Sequence, residues 1–414
     1  MEIKLKPFSA SGTIVAPPSK SVAHRLLICA ALKRGETIIK NCGDSADVLA
    51  TISCLTSLGA KIDYCGKDVK VRGIEVVRKG EILNAGESGS TLRFLIPVAC
   101  ALGANATFTG TEKLLSRPSQ PLIEQMQKHG VSVDGFSFKG KLTSGVYEID
   151  ASVSSQYITG LLFALPLLSG ESEIIMQGDI VSKDYINITL SALEKSGIVF
   201  NKLGNSIVIQ GNQEYKLPDE CVCEGDWSGS AFPLTLGAIS GEVTVLGLDE
   251  NSFQGDKEIL NVLEKAGAKI TIDGDRVTAK KGELKGFDQN FENVPDLAPI
   301  CAVLSAVCNG ESVFTGIERL KIKESDRVQT TLNLLKASGI FAIESDGKIT
   351  IEGGEPKGAN YDGANDHRIV MSSAVLSAVA TSQSVIKGWR AIEKSYPNFF
   401  EDYKALGGIV DGDI

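Results

Sequence analysis

The chain has 414 residues, of which 43% are hydrophobic and 22% are charged, and its formal net charge is -9. This length and balance are typical of a globular protein with two or three domains, and they exclude a single small domain. The acidic balance and the lack of a long basic tract argue against nucleic-acid binding, since basic surface supplies most of that affinity.

One amphipathic pattern recurs six times along the chain and ends each time in a glycine followed by a small or β-branched residue. Apolar residues at helical spacing before a glycine predict a surface helix that ends there and leads into a strand. The copies lie 67 to 72 residues apart. In chain order, the terminal glycines are Gly59, Gly130, Gly197, Gly267, Gly339 and Gly407.

A second series of segments, offset from the first, is apolar along almost its whole length. Each segment predicts a helix that is buried on all sides and is followed by a strand. The segments are RLLICAALKRGETII, RFLIPVACALGANATF, GLLFALPLLSGESEII, FPLTLGAISGEVTVL, PICAVLSAVCNGESVF and VMSSAVLSAVATSQSVI. The two series together predict a repeated βαβαββ unit, and six units grouped three and three predict two similar α/β domains.

The three buried helices of one domain are expected to run the same way, so their N-termini would lie together. A helix N-terminus has unpaired N–H groups and about half a positive charge. Three of them together attract an anion without any net positive charge on the protein. We therefore predict an anion-binding site at these helix starts, where the basic and hydroxyl residues of interest also lie.

The nine cysteines lie mostly within apolar runs and never form a CxxC pair. We therefore expect buried thiols in a reducing compartment rather than disulfides. There are three histidines, His24, His129 and His367, and no HExxH motif or calcium-binding loop, so we expect neither a metal nor a cofactor. The start of the chain has no apolar signal segment and no apolar run reaches the length of a membrane span, so we expect a cytoplasmic protein with no membrane partner.

Nine short motifs occur in order between about residue 16 and residue 400. They are PPSKSVAHR, SGSTLRF, LLSRP, SVSSQY, VSKDY, VPDLAP, IKESDR, NDHR and EKSYPNFF. Together they resemble the 5-enolpyruvylshikimate-3-phosphate (EPSP) synthase family of enolpyruvyl transferases, and IKESDR with NDHR is the most specific part. The resemblance implies two inside-out α/β, barrel-like domains of three repeats each, with the active site in the cleft between them. We place the first domain at 14–225 and the second at 1–13 plus 226–414.

The resemblance also implies a transferase reaction of the shikimate pathway, which leads to chorismate and the aromatic amino acids. The 5-hydroxyl of shikimate-3-phosphate attacks C2 of phosphoenolpyruvate, and phosphate leaves by addition and elimination. The expected partners are therefore these two small molecules. We expect the chain to be a monomer.

Carried over residue by residue, the resemblance assigns Asp296 and Glu324 to proton transfer and makes Lys20 the third catalytic residue. Shikimate-3-phosphate would be bound, mainly by the first domain, by Lys20, Ser21, Arg25, Ser154, Ser155, Gln156, Ser182, Tyr185, Asp296 and Lys323. Phosphoenolpyruvate would be bound by Lys20, Gly89, Arg117, Gln156, Arg327, Arg368 and Lys394. The chain departs from the family pattern at Ser88, where the family has asparagine, and at Arg319.

Charge supports these assignments independently of the resemblance. The two substrates carry about five to six negative charges in their carboxylates and phosphates. Arginine suits both groups through its planar, bidentate fork. The side-chain cations that would answer this charge without a metal are Lys20, Arg25, Arg117, Lys323, Arg327, Arg368 and Lys394.

Two other functions remain open at this point. Enolpyruvyl transfer to UDP-N-acetylglucosamine uses the same fold, but that family has a cysteine in a loop where this chain reads GTEKLLSRPSQ. A non-catalytic, sixfold clamp on a polymer would instead spread its charge along one surface. Cations confined to helix starts, together with Asp296 and Glu324, favour catalysis.

Overall fold

The computed structural model describes residues 2–178, 180 and 183–412, and the chain divides into two compact units. The inserted unit is Pro18–Cys223, and the terminal unit is Met1–Pro17 with Glu224–Ile414. The ligand-binding roles that the resemblance assigns to the two halves stay predictions.

The strands of the described residues are, in chain order, β1 (Glu2–Lys6), β2 (Ser11–Val15), β3 (Glu36–Lys40), β4 (Lys61–Cys65), β5 (Asp68–Arg72), β6 (Ile82–Asn84), β7 (Thr107–Thr109), β8 (Val131–Asp134), β9 (Ser137–Gly140), β10 (Val146–Asp150), β11 (Ser172–Gln177), β12 (Phe200–Leu203), β13 (Ser206–Ile209), β14 (Glu220–Val222), β15 (Glu242–Leu246), β16 (Lys269–Asp273), β17 (Arg276–Lys280), β18 (Asp288–Asn290), β19 (Glu311–Thr315), β20 (Phe341–Ser345), β21 (Lys348–Glu352), β22 (Asn360–Asp362), β23 (Ser384–Lys387) and β24 (Ile409–Asp411).

The α-helices of the described residues are α1 (Lys20–Leu32), α2 (Ala46–Leu58), α3 (Gly89–Leu102), α4 (Glu112–Ser116), α5 (Gln120–Lys128), α6 (Ser155–Ala164), α7 (Lys183–Lys195), α8 (Trp227–Ser240), α9 (Ile259–Lys265), α10 (Ala298–Ser305), α11 (Arg327–Ala337), α12 (His367–Ala378) and α13 (Phe399–Ala405). Short 3₁₀ segments lie at Leu165–Leu167, Gly255–Glu258, Pro295–Leu297, Glu318–Ile322 and Trp389–Lys394.

The described strands form six four-stranded sheets, three in each unit. The sheet β6-β7-β9-β8 illustrates the pattern: β6 and β7 are parallel, and β9 pairs antiparallel with both β7 and β8. Parallel neighbours need a crossover, and the buried helix α3 supplies it between β6 and β7. The predicted βαβαββ repeat is confirmed.

Three strands join sheets whose other strands lie far away in sequence. β1 pairs antiparallel with β23 and β24, so the start of the chain completes the last sheet. β2 runs parallel to β15 in the terminal unit, and β14 runs parallel to β3 in the inserted unit. β2 and β14 are therefore each the first strand of a repeat whose buried helix comes from a distant part of the chain.

The two predicted helix series are both present. The helices α1, α3, α6, α8, α10 and α12 are buried along most of their length. The surface helices α2, α5, α7, α9, α11 and α13 bury one face. All six glycines that end the surface helices have φ between 71° and 121°. This left-handed region favours glycine, because a Cβ atom makes it strained.

Each unit has its own hydrophobic core, built around its buried helices. In the terminal unit, α8, α10 and α12 contact one another, and in the inserted unit α3 contacts α6. Seven of the nine cysteines are buried, as predicted, whereas Cys65 is exposed and Cys221 is half-buried. Among the described residues, no helix combines the length and apolarity that crossing a membrane requires.

Candidate active site

Lys20 is the first residue of α1, in the inserted unit. Its Nζ donates to Asp47 Oδ2 over 2.7 Å, and both side chains are largely buried. Asp47 lies in the first turn of α2. The ion pair therefore fixes the direction of the lysine at the start of the helix.

Arg25 lies one turn further along α1 and is buried. Its guanidinium donates to the backbone oxygens of Ser21 (2.6 Å) and Tyr185 (2.8 Å) and to Thr189 Oγ1 (2.8 Å), and it lies over the ring of Phe94. Burial lowers the pKa of Arg25 to about 9. These contacts hold Arg25 and Tyr185, both predicted shikimate-3-phosphate ligands, next to each other.

The N-termini of α3 and α6 bring three predicted phosphoenolpyruvate residues together. A Cβ atom on Gly89 would lie 2.9 Å from Arg93 Nη1 and 3.1 Å from Arg117 Nη1. Arg93 Nη1 donates to Gln156 Oε1 over 2.7 Å, and Gln156 Nε2 donates to Ser90 Oγ over 3.2 Å. Gly89 therefore lies beside Arg93 and Arg117, and Gln156 is bound to the same Arg93. The helix N-termini add positive potential there.

Neutral side chains cap these two helix starts. Ser88 Oγ accepts from the backbone N–H of Thr91 over 3.2 Å, and Ser154 Oγ accepts from that of Gln156 over 3.3 Å. Ser88 is fully buried, and its hydroxyl also accepts from Thr91 Oγ1. At the position where the chain departs from the family pattern, the serine thus acts as a helix cap.

The other predicted shikimate-3-phosphate serines that the structure describes are Ser21 and Ser155. Ser21 is half-buried in the first turn of α1, and Ser155 is buried at the first residue of α6. Ser182 lies outside the described residues.

In the terminal unit, Asp296 is the centre of a cluster of cations. Its Oδ1 accepts from Arg327 Nη1 over 2.7 Å and lies 3.5 Å from Lys323 Nζ. Its Oδ2 accepts from Arg368 Nη2 over 2.9 Å, and its backbone oxygen accepts from Arg368 Nη1 over 3.2 Å. Four predicted site residues are therefore in direct contact.

Arg327 contacts three carboxylates and is 1% exposed. Besides Asp296, it donates from Nη2 to Glu324 Oε2 over 2.7 Å and from Nε to Asp366 Oδ2 over 2.8 Å. Ser325 Oγ donates to the same Asp366 oxygen. The motifs IKESDR, NDHR and VPDLAP, which are distant in sequence, thus meet at one guanidinium.

These contacts determine the charge states of the cluster. Burial alone would raise the pKa of Asp296, but Arg368, Lys323 and Arg327 hold it well below its ordinary value of 3.8. Burial lowers the pKa of Arg327, yet its three carboxylates raise it well above its ordinary value. Burial lowers the pKa of Lys323 by more than the neighbouring Asp296 raises it, so the pKa of this lysine is below its ordinary value. Asp296 is therefore a carboxylate at neutral pH.

Lys394 contacts the backbone just before Asp366. Its Nζ donates to the backbone oxygen of Asn365 over 2.6 Å, and Asn365 immediately precedes the Asp366 that Arg327 contacts. Arg319 donates to the backbone oxygen of Glu292 at 3.5 Å.

Carboxylates cap the starts of two buried helices in the terminal unit, in contrast to the serine caps of the inserted unit. Asp226 Oδ2 accepts from the N–H of Gly229 at the start of α8, and Asp366 Oδ1 accepts from the N–H of Arg368 at the start of α12, each over 2.9 Å. The expectation that bare helix starts attract the anion therefore applies less to this unit. In the terminal unit, an anion would be attracted mainly by the side-chain cations, because the carboxylate caps offset the positive charge of the helix N-termini.

Comparisons with known proteins show the family to which the chain belongs. The family model described as EPSP synthase (3-phosphoshikimate 1-carboxyvinyltransferase) matches residues 6–403. The chain belongs to the EPSP synthase family. Two relatives named 3-phosphoshikimate 1-carboxyvinyltransferase, from Clostridium kluyveri and Clostridium novyi, are 39% and 37% identical, and in both pairs the alignment covers 99% of this chain and 98% of the relative. An EPSP synthase structure from Acinetobacter baumannii has the same fold, with a TM-score of 0.82 at 24% identity over 99% of this chain and 100% of that one.

Several residues of these clusters were not predicted from the sequence, although Arg93 and Asp366 lie in the family motifs. Arg93 is within SGSTLRF, four residues after Gly89, which places both on one face of a helix. Asp366 is within NDHR. Asp47 lies at the start of a surface helix, where an acidic residue is common for reasons of helix stability alone. Among the described residues, no three or more histidines, cysteines or acidic residues are grouped so as to hold a metal ion.

Proposed function

We propose that this chain is a 3-phosphoshikimate 1-carboxyvinyltransferase, which transfers the enolpyruvyl group of phosphoenolpyruvate to the 5-hydroxyl of shikimate-3-phosphate and releases phosphate. The observation that carries the proposal is the contact of Arg327, Arg368 and Lys323 with Asp296 in a chain of this family. This cluster combines an ionised carboxylate with cations for the phosphate and carboxylate of phosphoenolpyruvate.

In this proposal, the inserted unit supplies most of the ligands for shikimate-3-phosphate. Arg25 and Tyr185 are held together, and Gln156 lies at the start of α6 beside Ser154. The serine-capped helix starts keep their positive potential, which favours a phosphate. Gly89 and Arg117, which lie beside Arg93, and Lys20 contact phosphoenolpyruvate from the same unit. Ser21, Ser155 and Ser182 are also assigned to shikimate-3-phosphate.

The terminal unit would supply the groups that move protons. Addition of the 5-hydroxyl to C2 delivers a proton to C3, and loss of phosphate then removes a proton from the resulting methyl group. Asp296 is ionised and can accept a proton, and Glu324, which is bound to the same Arg327, is the second group. Arg327, Arg368 and Lys394 would hold the anionic groups of phosphoenolpyruvate, with Lys323 on shikimate-3-phosphate.

The test is to incubate the purified chain with both substrates and to measure inorganic phosphate and the enol ether product by mass spectrometry. We expect one phosphate per product, no turnover when either substrate is omitted, and undiminished activity after treatment with a chelator. Replacing shikimate-3-phosphate with UDP-N-acetylglucosamine should abolish phosphate release. Turnover with the nucleotide sugar alone would establish the sister activity instead, and no turnover with either acceptor would favour the clamp. Light scattering tests the further proposal of a monomer.

A further inference from the structure

A chain of hydrogen bonds begins at Arg368 Nη2, the nitrogen that also donates to Asp296. Arg368 Nη2 donates to Ser228 Oγ over 2.6 Å, and Ser228 Oγ donates to Asp256 Oδ2. All three residues are buried, with 6%, 9% and 4% of their surfaces exposed. Neither Ser228 nor Asp256 has a role in the function proposed above.

The direction of these bonds follows from the chemistry of the groups. A guanidinium can only donate, and an ionised carboxylate can only accept. The single hydrogen of Ser228 therefore points to Asp256, and a lone pair of the hydroxyl faces Arg368. The charge of Asp256 thus fixes the acceptor of Arg368 Nη2, the nitrogen that also donates to Asp296 Oδ2, and so orients that end of the guanidinium.

The segment that carries Asp256 is tied to the start of α8, where Ser228 lies. Gln254 accepts from the N–H of Trp227 over 3.1 Å and donates to the backbone oxygen of Gly225 over 2.8 Å. The indole N–H of Trp227 donates to the backbone oxygen of Asp249 over 3.0 Å. These bonds hold the segment of Asp256 against the start of α8, where the Ser228 hydroxyl lies.

We propose that Asp256 is a positioning residue for phosphoenolpyruvate, because it orients the guanidinium of Arg368 through the hydroxyl of Ser228. This inference rests on the proposed function, in which Arg368 binds that substrate. Asp296 is the other partner of Arg368 and takes part in proton transfer. Asp256 keeps the guanidinium in place while the charge on Asp296 changes.

The charged and titratable groups that face Asp256 are Asp296, Arg368, Asp226 and Cys301. Burial, then Asp296, raise the pKa of Asp256 to about 6, against the opposing effect of Arg368. The carboxyl is therefore protonated at the acidic end of an ordinary assay range. A protonated Asp256 no longer dictates the direction of the Ser228 hydroxyl, so the orientation of Arg368 becomes less defined there.

The test compares Asp256→Asn, Ser228→Ala and the double variant with the wild-type enzyme. Glu258→Gln is the matched control, since Glu258 lies on the same 3₁₀ segment and accepts from Asn261 instead. We expect each single variant to raise the KM for phosphoenolpyruvate about tenfold, the effect of one hydrogen bond to a charged group. We expect kcat and the KM for shikimate-3-phosphate to change less than threefold. The double variant should be no worse than the more affected single variant, because both break one chain of bonds.

A pH profile separates positioning from a general structural effect. Between pH 7.5 and pH 5.5, the KM of the wild-type enzyme should rise toward that of Asp256→Asn. Titration of the substrate phosphate, whose second pKa is near 6, affects both enzymes and cancels in their ratio. If Asp256→Asn does not fold, Ser228→Ala alone decides the question.

The outcomes distinguish this inference from the proposed function. A wild-type enzyme that turns over both substrates, with variants that match Glu258→Gln, would overturn the role of Asp256 and leave the function intact. If the wild-type enzyme has no activity, the proposed function fails. Calorimetric titration with phosphoenolpyruvate alone then tests whether Asp256→Asn weakens binding, and equal binding would overturn the inference.

Discussion

The variant Asp296→Asn separates proton transfer from substrate binding at the centre of the cluster. The substitution keeps the shape of the side chain and one acceptor oxygen, but it removes the charge. Because Asp296 accepts from both Arg327 and Arg368, one charge-assisted bond is lost. The question is whether activity falls through kcat or through the KM for phosphoenolpyruvate.

The expected sizes follow from the contacts. One hydrogen bond to a charged group stabilises a protein by about 1.5–3 kcal/mol, so the free energy of unfolding should fall by about 2 kcal/mol. Arg327 keeps Glu324 and Asp366 as partners, which limits the loss. General acid–base catalysis contributes about 10²–10⁴-fold, and kcat should fall by that factor. The KM for phosphoenolpyruvate should stay the same or decrease, because the cations lose a competing carboxylate.

The pH dependence of stability provides a further check on the charge of Asp296. Its folded-state pKa is below the ordinary value of 3.8, so its stabilising contribution is complete above about pH 4. The contribution is lost only as the pH falls through that lowered pKa. The contribution of Asp296 itself should therefore be constant from pH 5 to pH 8. The variant also relieves the raised pKa of Asp256, which favours the variant most at the alkaline end, so the stability difference should grow slightly, and not shrink, from pH 8 to pH 5.

The assay is steady-state kinetics with each substrate varied, together with urea denaturation at several pH values. A variant whose kcat lies within threefold of wild type would refute the role in proton transfer. A KM for phosphoenolpyruvate that rises more than tenfold at unchanged kcat would mean that Asp296 serves substrate binding. A stability difference that shrinks between pH 8 and pH 5 would contradict the lowered pKa.

Three further substitutions test other contacts of the site. Lys20→Ala removes the partner of Asp47 and a proposed contact to both substrates, so kcat/KM should fall more than 100-fold. The control Lys33→Ala breaks the ion pair with Asp219 at the other end of α1 and should leave kcat/KM within threefold of wild type; equal effects would make Lys20 a purely structural residue. Arg327→Gln removes a buried cation from the buried Asp366 and from the half-buried Asp296 and Glu324, so it should lower the free energy of unfolding by about 3–5 kcal/mol in urea denaturation. The exposed Arg390→Gln should cost under about 1 kcal/mol, and similar losses would refute the ion-pair network. Gly89→Ala places a methyl group about 3 Å from the ends of Arg93 and Arg117, so it should raise the KM for phosphoenolpyruvate with little change in melting temperature. An unchanged KM would show that Gly89 is not part of the phosphoenolpyruvate site.

The sequence by itself determined the repeat and the local structure. A glycine after an amphipathic segment predicts where a helix ends, and all six of these glycines adopt positive φ. Runs apolar on every side predicted the buried helices correctly, because such a helix is stable only inside a core. The helix starts at Lys20, Gly89 and Ser155 were likewise predictable from short motifs. These features depend on neighbours within a few residues.

Only the tertiary structure decided which strands and side chains meet. β1 pairs with β23 across almost the whole chain, and no local propensity encodes such a pairing. Similarly, the sequence motifs contain Arg327, Asp366 and Asp296 separately, but their contacts depend on how three helix starts pack. Asp256 lies at an ordinary helix start in sequence, where an acidic residue has a stabilising role of its own. Its place beside Ser228 and Arg368 depends on the packing of α8 and α12, since burial and hydrogen bonding are properties of the folded chain.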